Sequence, residues 1–148
     1  MTQMLASPDK FGDVTVIWAG RNNFGNTVTV ETDIASMVNA LAAPKRFLIL
    51  SIENASREGL GTGAYSAITQ LNADLAATYP NNFLDIRELV VTQGLAFEGI
   101  SPTPQDLTDM ANDVPPTSLR FDIIHLNHFG YDFVAHQVNT WLRAHYAN

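Results

Sequence analysis

Short apolar runs alternate with stretches of helical period along most of this chain. Val14-Thr-Val-Ile-Trp18 is an apolar run ended by Ala19-Gly20 and predicts a buried strand. From Glu31 to Ala42, the residues Ile34, Met37, Val38 and Leu41 recur at helical spacing, with Thr32 or Asp33 as N-cap and Pro44 past the end. Phe47-Leu-Ile-Leu-Ser-Ile52 predicts a second strand, apolar almost throughout, as in a parallel strand covered on both faces. A polar, glycine-rich loop from Glu53 to Gly63 leads into a helix whose stripe is Tyr65, Ile68, Leu71, Leu75 and Tyr79, stopped by Pro80. Phe83-Leu-Asp-Ile86 predicts a third, short strand. Thr92 to Thr117 reads mostly as loop, with one short helix opened by Thr103-Pro104-Gln105-Asp106. The last helix is expected from Tyr131 to His145, with Val134, Val138, Trp141 and Leu142 on its buried side.

Strands separated by helices of this length imply βαβ crossovers, hence an α/β fold with a parallel sheet and helices on both faces. At 148 residues and 46% hydrophobic, the chain suffices for one core and is too small for two, which predicts a single domain over 1–148. A formal charge of -7, with the eight Lys and Arg scattered, argues against nucleic acid or an anionic membrane as partner. No apolar run approaches the roughly 20 residues of a membrane span. Met1-Thr-Gln-Met-Leu-Ala lacks the basic and long apolar regions of a signal peptide, so the cytoplasm is the default location. Without cysteine there is no disulfide framework, thiolate nucleophile or cysteine zinc site, and no cofactor is implied.

In parallel sheets, ligands bind at the carboxyl ends of the strands. After the first strand comes Gly20-Arg21-Asn22-Asn23, where Gly20 permits a tight turn and an amide can donate a hydrogen bond; ordinary turn formation explains the same residues. After the second come Ser51, Glu53, Asn54 and Ser56, read as loop residues. More telling is Asp122-Ile-Ile-His125-Leu-Asn-His-Phe-Gly130-Tyr131. A carboxylate three residues before a histidine can hold one imidazole nitrogen while the other stays free as a base. Asp122, His125 and His128 also share metal-ligand spacing, but a zinc site would want a further ligand from elsewhere, and no His-Glu-x-x-His pattern occurs. No metal is expected. His136 and His145 are expected to be surface or packing residues.

Two of these blocks resemble a known family. Gly20-Arg21-Asn22-Asn23 is similar to the Gly-x-Asn-Asp block of the SGNH (GDSL-type) hydrolases, with Asn23 in place of the aspartate. The segment from Asp122 to Tyr131 resembles that family's final block. The resemblance implies a flavodoxin-like three-layer α/β/α fold and hydrolysis of a small ester or an acylated sugar. It makes His125 the general base, Asp122 its orienting partner and Asn22 an oxyanion donor at the Gly20 turn. It covers nearly all of this chain but only the last two thirds or so of the family's domain, so the first strands and the Gly-Asp-Ser block are expected to be missing. Ser7, the one serine upstream of the first strand, sits in Leu-Ala-Ser-Pro-Asp. Four outcomes stay open: a shortened hydrolase with little activity; a nucleophile drawn from Ser51 or Ser56; water activated directly by His125; or a non-catalytic carbohydrate- or protein-binding module. Loss of a neighbouring strand would leave Val14 to Trp18 as an exposed edge, which predicts a homo-oligomer.

Overall fold

The computed structural model describes residues 13–146, and Ser7 lies outside them. These residues fall into two compact units, each assembled from separated pieces of chain. The first takes the chain up to Ile52 together with Ala67–Leu84, and the second takes Glu53–Ser66 and the chain from Asp85 onward.

The first unit carries a parallel sheet of three short strands, β1 (Thr15–Ile17), β2 (Phe47–Leu50) and β3 (Phe83–Leu84), in the order β1-β2-β3. The register sets Thr15 beside Phe47, Ile17 beside Ile49, and Ile49 beside Phe83. Helix α1 (Thr27–Asn39) links β1 to β2, and α2 (Gly63–Thr78), whose first turn belongs to the second unit, precedes β3. Helix α1 starts four residues before the expected Glu31. Asn26 supplies the cap by accepting from the Thr29 N–H at 3.3 Å, which brings Val30 onto the buried stripe with Ile34 and Val38.

Strands added in one direction through right-handed crossovers carry both connecting helices on the same sheet face. The core agrees: Ile17, Phe47 and Ile49, from one face, cluster with Val30, Ile34 and Val38 of α1 and Ile68, Leu71 and Leu75 of α2. The α/β class therefore holds. Among the described residues of this unit, the packing places α1 and α2 on one sheet face, and neither the expected helices on both faces nor a flavodoxin-like order is shown. Among the described residues the strand order runs in one direction, so these three strands make no switch point of the kind at which such sheets bind ligands.

Past β2 the chain finds a partner that is not a strand. Buried Ile52 donates its N–H to Asn72 Oδ1 and accepts from Asn72 Nδ2, both at 2.9 Å. Asn72, itself buried on α2, thus satisfies both polar groups of one residue as a neighbouring strand would.

The second unit contains α3 (Ile86–Phe97), α4 (Pro104–Ala111), a 3-10 turn at Thr117–Leu119 and α5 (His128–Tyr146). Its buried apolar residues include Ile86, Val90, Val91, Leu95, Leu119, Leu126, Phe133 and Val134, and Phe97 meets Phe133 edge-on at 5.3 Å. Helix α3 replaces the end of the expected third strand and the start of the expected loop. Asp85 accepts from the Glu88 N–H at 3.1 Å and turns the chain out of β3 into a helix, and Ile86, Val90 and Leu95 supply the buried face. The cap expected at Thr103 is present in full, with Pro104 at the first helical position and Asp106 closing a capping box. Helix α5 begins three residues before Tyr131. Val134 on it is buried, whereas Val138, Trp141 and Leu142 are half-buried. Among the described residues no helix is long and apolar enough to cross a membrane.

Replacing Asn72 by alanine would leave a buried N–H and a buried carbonyl of Ile52 without partners. The expected loss is on the order of 2–5 kcal/mol by chemical denaturation. A loss under about 1 kcal/mol would show that water or a shifted backbone satisfies Ile52 instead.

Candidate functional site

Asp122 and His125 meet as their spacing predicts. Asp122 Oδ2 lies 2.8 Å from His125 Nδ1, and Oδ1 accepts the N–H groups of Ile124 and His125, both at 2.7 Å. The turn is closed by the Phe121 N–H donating to the His125 carbonyl at 2.8 Å, above a bridge between Arg120 and Leu126. The His125 amide, the His125 ring and the Ile124 amide together hold the Asp122 carboxyl down at about 2. An ionised carboxylate at Nδ1 assigns the proton to that nitrogen and leaves Nε2 as the basic lone pair. Nε2 has no hydrogen-bond partner among the described residues, and the His125 side chain is 64% exposed. This is an oriented imidazole facing solvent.

What orders the turn lies beneath it. Asp106 and Asp109, three apart on α4, are both buried. Asp106 accepts from the Thr103 N–H and hydroxyl at 2.9 and 2.6 Å, and from the Ser118 N–H and hydroxyl at 2.8 Å each. Burial pushes its carboxyl up, but these donors outweigh burial and hold it at about 2. Asp109 accepts from the Thr117 N–H and hydroxyl at 2.9 and 2.6 Å, from Gln105 at 2.8 Å and from Arg120 Nη2 at 2.7 Å. The segment entering the Asp122 turn is thereby pinned to α4 by side chains at Thr117, Ser118 and Arg120.

The far side of the turn is fixed by Asn127. Its N–H donates to the Leu119 carbonyl at 2.9 Å, its Nδ2 to the Ser118 carbonyl at 2.8 Å, and its Oδ1 accepts from the Gly130 N–H at 3.1 Å, capping α5. Gly130 then passes so close that an added Cβ would sit 2.6 Å from the Leu119 carbonyl oxygen. Asn127 and Gly130, read in the sequence as parts of one functional block, are thus explained by capping and close packing. Around the turn, Phe121 is 81% exposed, and Ile123, Ile124, Phe129 and Tyr131 are exposed as well.

The remaining candidates separate. Gly20, at φ 106, opens the 3-10 turn Arg21–Asn23, in which Asn22 is exposed, and an added Cβ at Gly20 would meet Val30 at 2.6 Å. Ser51 is fully buried; its N–H donates to the Leu84 carbonyl and its own carbonyl accepts from the Trp18 indole. Gly20, Asn22 and Ser51 all belong to the first unit, and Asp122 and His125 to the second. Ser56, half-buried, also belongs to the second unit and donates its N–H to the Ile123 carbonyl at 2.9 Å. Its backbone therefore touches the turn that carries His125. The His128 ring packs on Phe129 at 3.8 Å, and the described residues contain no group of three or more metal-ligating side chains. Two further histidines take packing contacts, His136 on Phe97 at 4.6 Å and His145 stacked on Trp141 at 3.8 Å.

Both Asp106 and Asp122 sit below the usual 3.8 when folded, so their contribution to stability is complete above about pH 4 and is lost as pH falls through about 2. Carboxyl carbon resonances followed from pH 6 to 1.5 should show both groups titrating near 2. A midpoint near 4 for Asp122 would mean the turn is open in solution. Gly130→Ala should lower stability by about 1–3 kcal/mol, because a backbone carbonyl cannot yield as a side chain can. Thermal melts check this, and an unchanged midpoint would contradict the close approach.

No family model matches this chain, and no solved structure does. Over 113 residues the chain is 31% identical to the tail spike protein of Salmonella phage epsilon15. The match takes in 76% of this chain and 10% of the phage protein, so the chain spans about a tenth of that relative's length. The expected membership of the SGNH hydrolases is overturned: no family model supports it, and the relative that does match is named as a tail spike protein. The oxyanion role of Asn22 was implied by that resemblance alone, and Asn22 belongs to the first unit whereas His125 belongs to the second.

Proposed function

We propose that this chain hydrolyses a small ester or an acylated sugar, with His125 as general base and Asp122 orienting it. The single observation behind this reading is the Asp122 carboxylate, bound to two backbone amides and to His125 Nδ1, beside an Nε2 left open to solvent. Such an arrangement fixes the tautomer and favours the imidazolium that forms on proton transfer. The nucleophile is the Ser56 hydroxyl or a water molecule. Ser56 is favoured over Ser51 because its amide bonds the His125 turn, and its hydroxyl has no hydrogen bond among the described residues. Ser51, fully buried, offers a dissolved ester no approach.

A second reading has its own support. The exposed Phe121, Ile123, Ile124, Phe129 and Tyr131 crowd the same stretch of chain, and clustered exposed apolar groups mark binding surfaces. In this reading the chain is a carbohydrate- or protein-binding module of a longer, tail-spike-like protein. Self-association is proposed alongside either reading. Among the described residues β1 is an edge strand, with Val16 on it and Trp18 just past its end about two-fifths exposed (40% and 39%).

Turnover of p-nitrophenyl acetate and of an acetylated sugar tests the first reading. His125→Ala should lower kcat by about 10²–10⁴, and Asp122→Asn should lower it through the wrong tautomer. Ser56→Ala together with fluorophosphonate labelling separates the nucleophiles: a label on Ser56 assigns it, and turnover that survives Ser56→Ala assigns water. Wild-type rates equal to those of His125→Ala would sink hydrolysis. The binding module would then be tested by titrating oligosaccharides against Phe121→Ala. Light scattering at micromolar concentration should show an oligomer, and a monomer would refute pairing along β1.

A further inference from the structure

We infer that Arg120 is the positioning residue of the Asp122–His125 pair, coupling it to a carboxylate buried in α4. The inference rests on the hydrolytic reading of His125. The Arg120 side chain is only 8% exposed, and its guanidinium works in two directions. Inward, Nη2 bonds Asp109 Oδ2 and the Thr117 hydroxyl, both at 2.7 Å, and Nε bonds the Pro115 carbonyl at 2.8 Å. Outward, Nη1 reaches the carbonyl of Asp122 at 3.4 Å. Asp122 is the residue whose carboxylate holds the imidazole.

A guanidinium is planar, so fixing two of its nitrogens fixes the direction of the third. Buried Asp109 therefore sets where the outer arm points, and that arm meets Asp122 within the turn. The backbone of Arg120 adds to this through its bridge to Leu126, at the base of the loop closed by Phe121 and His125. Position 120 thus carries both the base of the loop and the link to its carboxylate-bearing residue. A lysine could keep the charge pair with Asp109, but an ammonium is a point charge without the fork needed to hold Pro115 and Asp122 as well. What the substitution removes is direction rather than charge.

The test is Arg120→Lys in the full chain, read by ring ¹⁵N shifts of His125 at alkaline pH. The wild type should show the Nδ1–H tautomer, and the variant should shift toward the Nε2–H form that free histidine prefers, while circular dichroism stays native. In turnover assays kcat should fall by on the order of 10²-fold with KM little changed, as expected of a misplaced base. A folded variant that keeps the wild-type tautomer would overturn the inference. If the variant does not fold, backbone relaxation of the wild type decides. Order parameters at 121–125 near those of 115–120, about 0.85, support the coupling, and values below about 0.6 refute it. The tautomer readout needs no turnover, so an inactive wild type would remove the hydrolytic reading and leave this test standing.

Discussion

Two carboxylates buried three residues apart on α4 govern the second unit. A buried charge is tolerated only when its lone pairs are occupied, and here every donor to them except Gln105 comes from Thr103 or from 117–120. The Asp106 charge is stabilised by four hydrogen bonds, with no cation paired to it among the described residues, while Asp109 adds the Arg120 ion pair. Freeing the segment would strand both charges, so the chain before the Asp122 turn has little room to move. The turn inherits that order. Its exposed histidine is aimed by groups that are themselves out of water.

The parts of the fold legible in the sequence were those with strong local signals. The apolar runs at Thr15–Ile17 and Phe47–Leu50 and the cap at Thr103 leave little choice of structure. The helix Ile86–Phe97 was hidden because its cap, Asp85, directly follows Phe83 and Leu84, and a short apolar run reads equally well as strand or helix. The single-face packing of α1 and α2 is a property of strand order, which no local pattern encodes. At the site, the Asp-x-x-His spacing sufficed to predict the 2.8 Å contact. Beyond the part of Asp106 in the Thr103 cap, the bonds of Asp106, Asp109 and Arg120 to the 117–120 segment were not legible, although the acidic residues lie at helical spacing. A polar residue on a helix reads as solvated until its partners are seen.

The Asp122 segment also shows how one stretch of sequence can serve two ends. Asn127 and Gly130 are required to start α5 and to let it pass Leu119, whatever the histidine does. Their presence beside Asp-x-x-His therefore carries less functional information than the string suggests. The pairing of Asp122 with His125 is separate from those constraints. It adds nothing to the packing of α5, and it places an ionised carboxylate and a basic nitrogen at the surface.

The chain passes between its two units three times, after Ile52, after Ser66 and after Leu84. The first unit owns the segment on either side of the 53–66 excursion, and the Asn72–Ile52 amide pair ties those two pieces together. Neither unit is a continuous stretch that a single cut could release. Each unit is completed only by chain that lies beyond a stretch of the other, so a fragment cut at any one of these crossings would lack part of at least one unit.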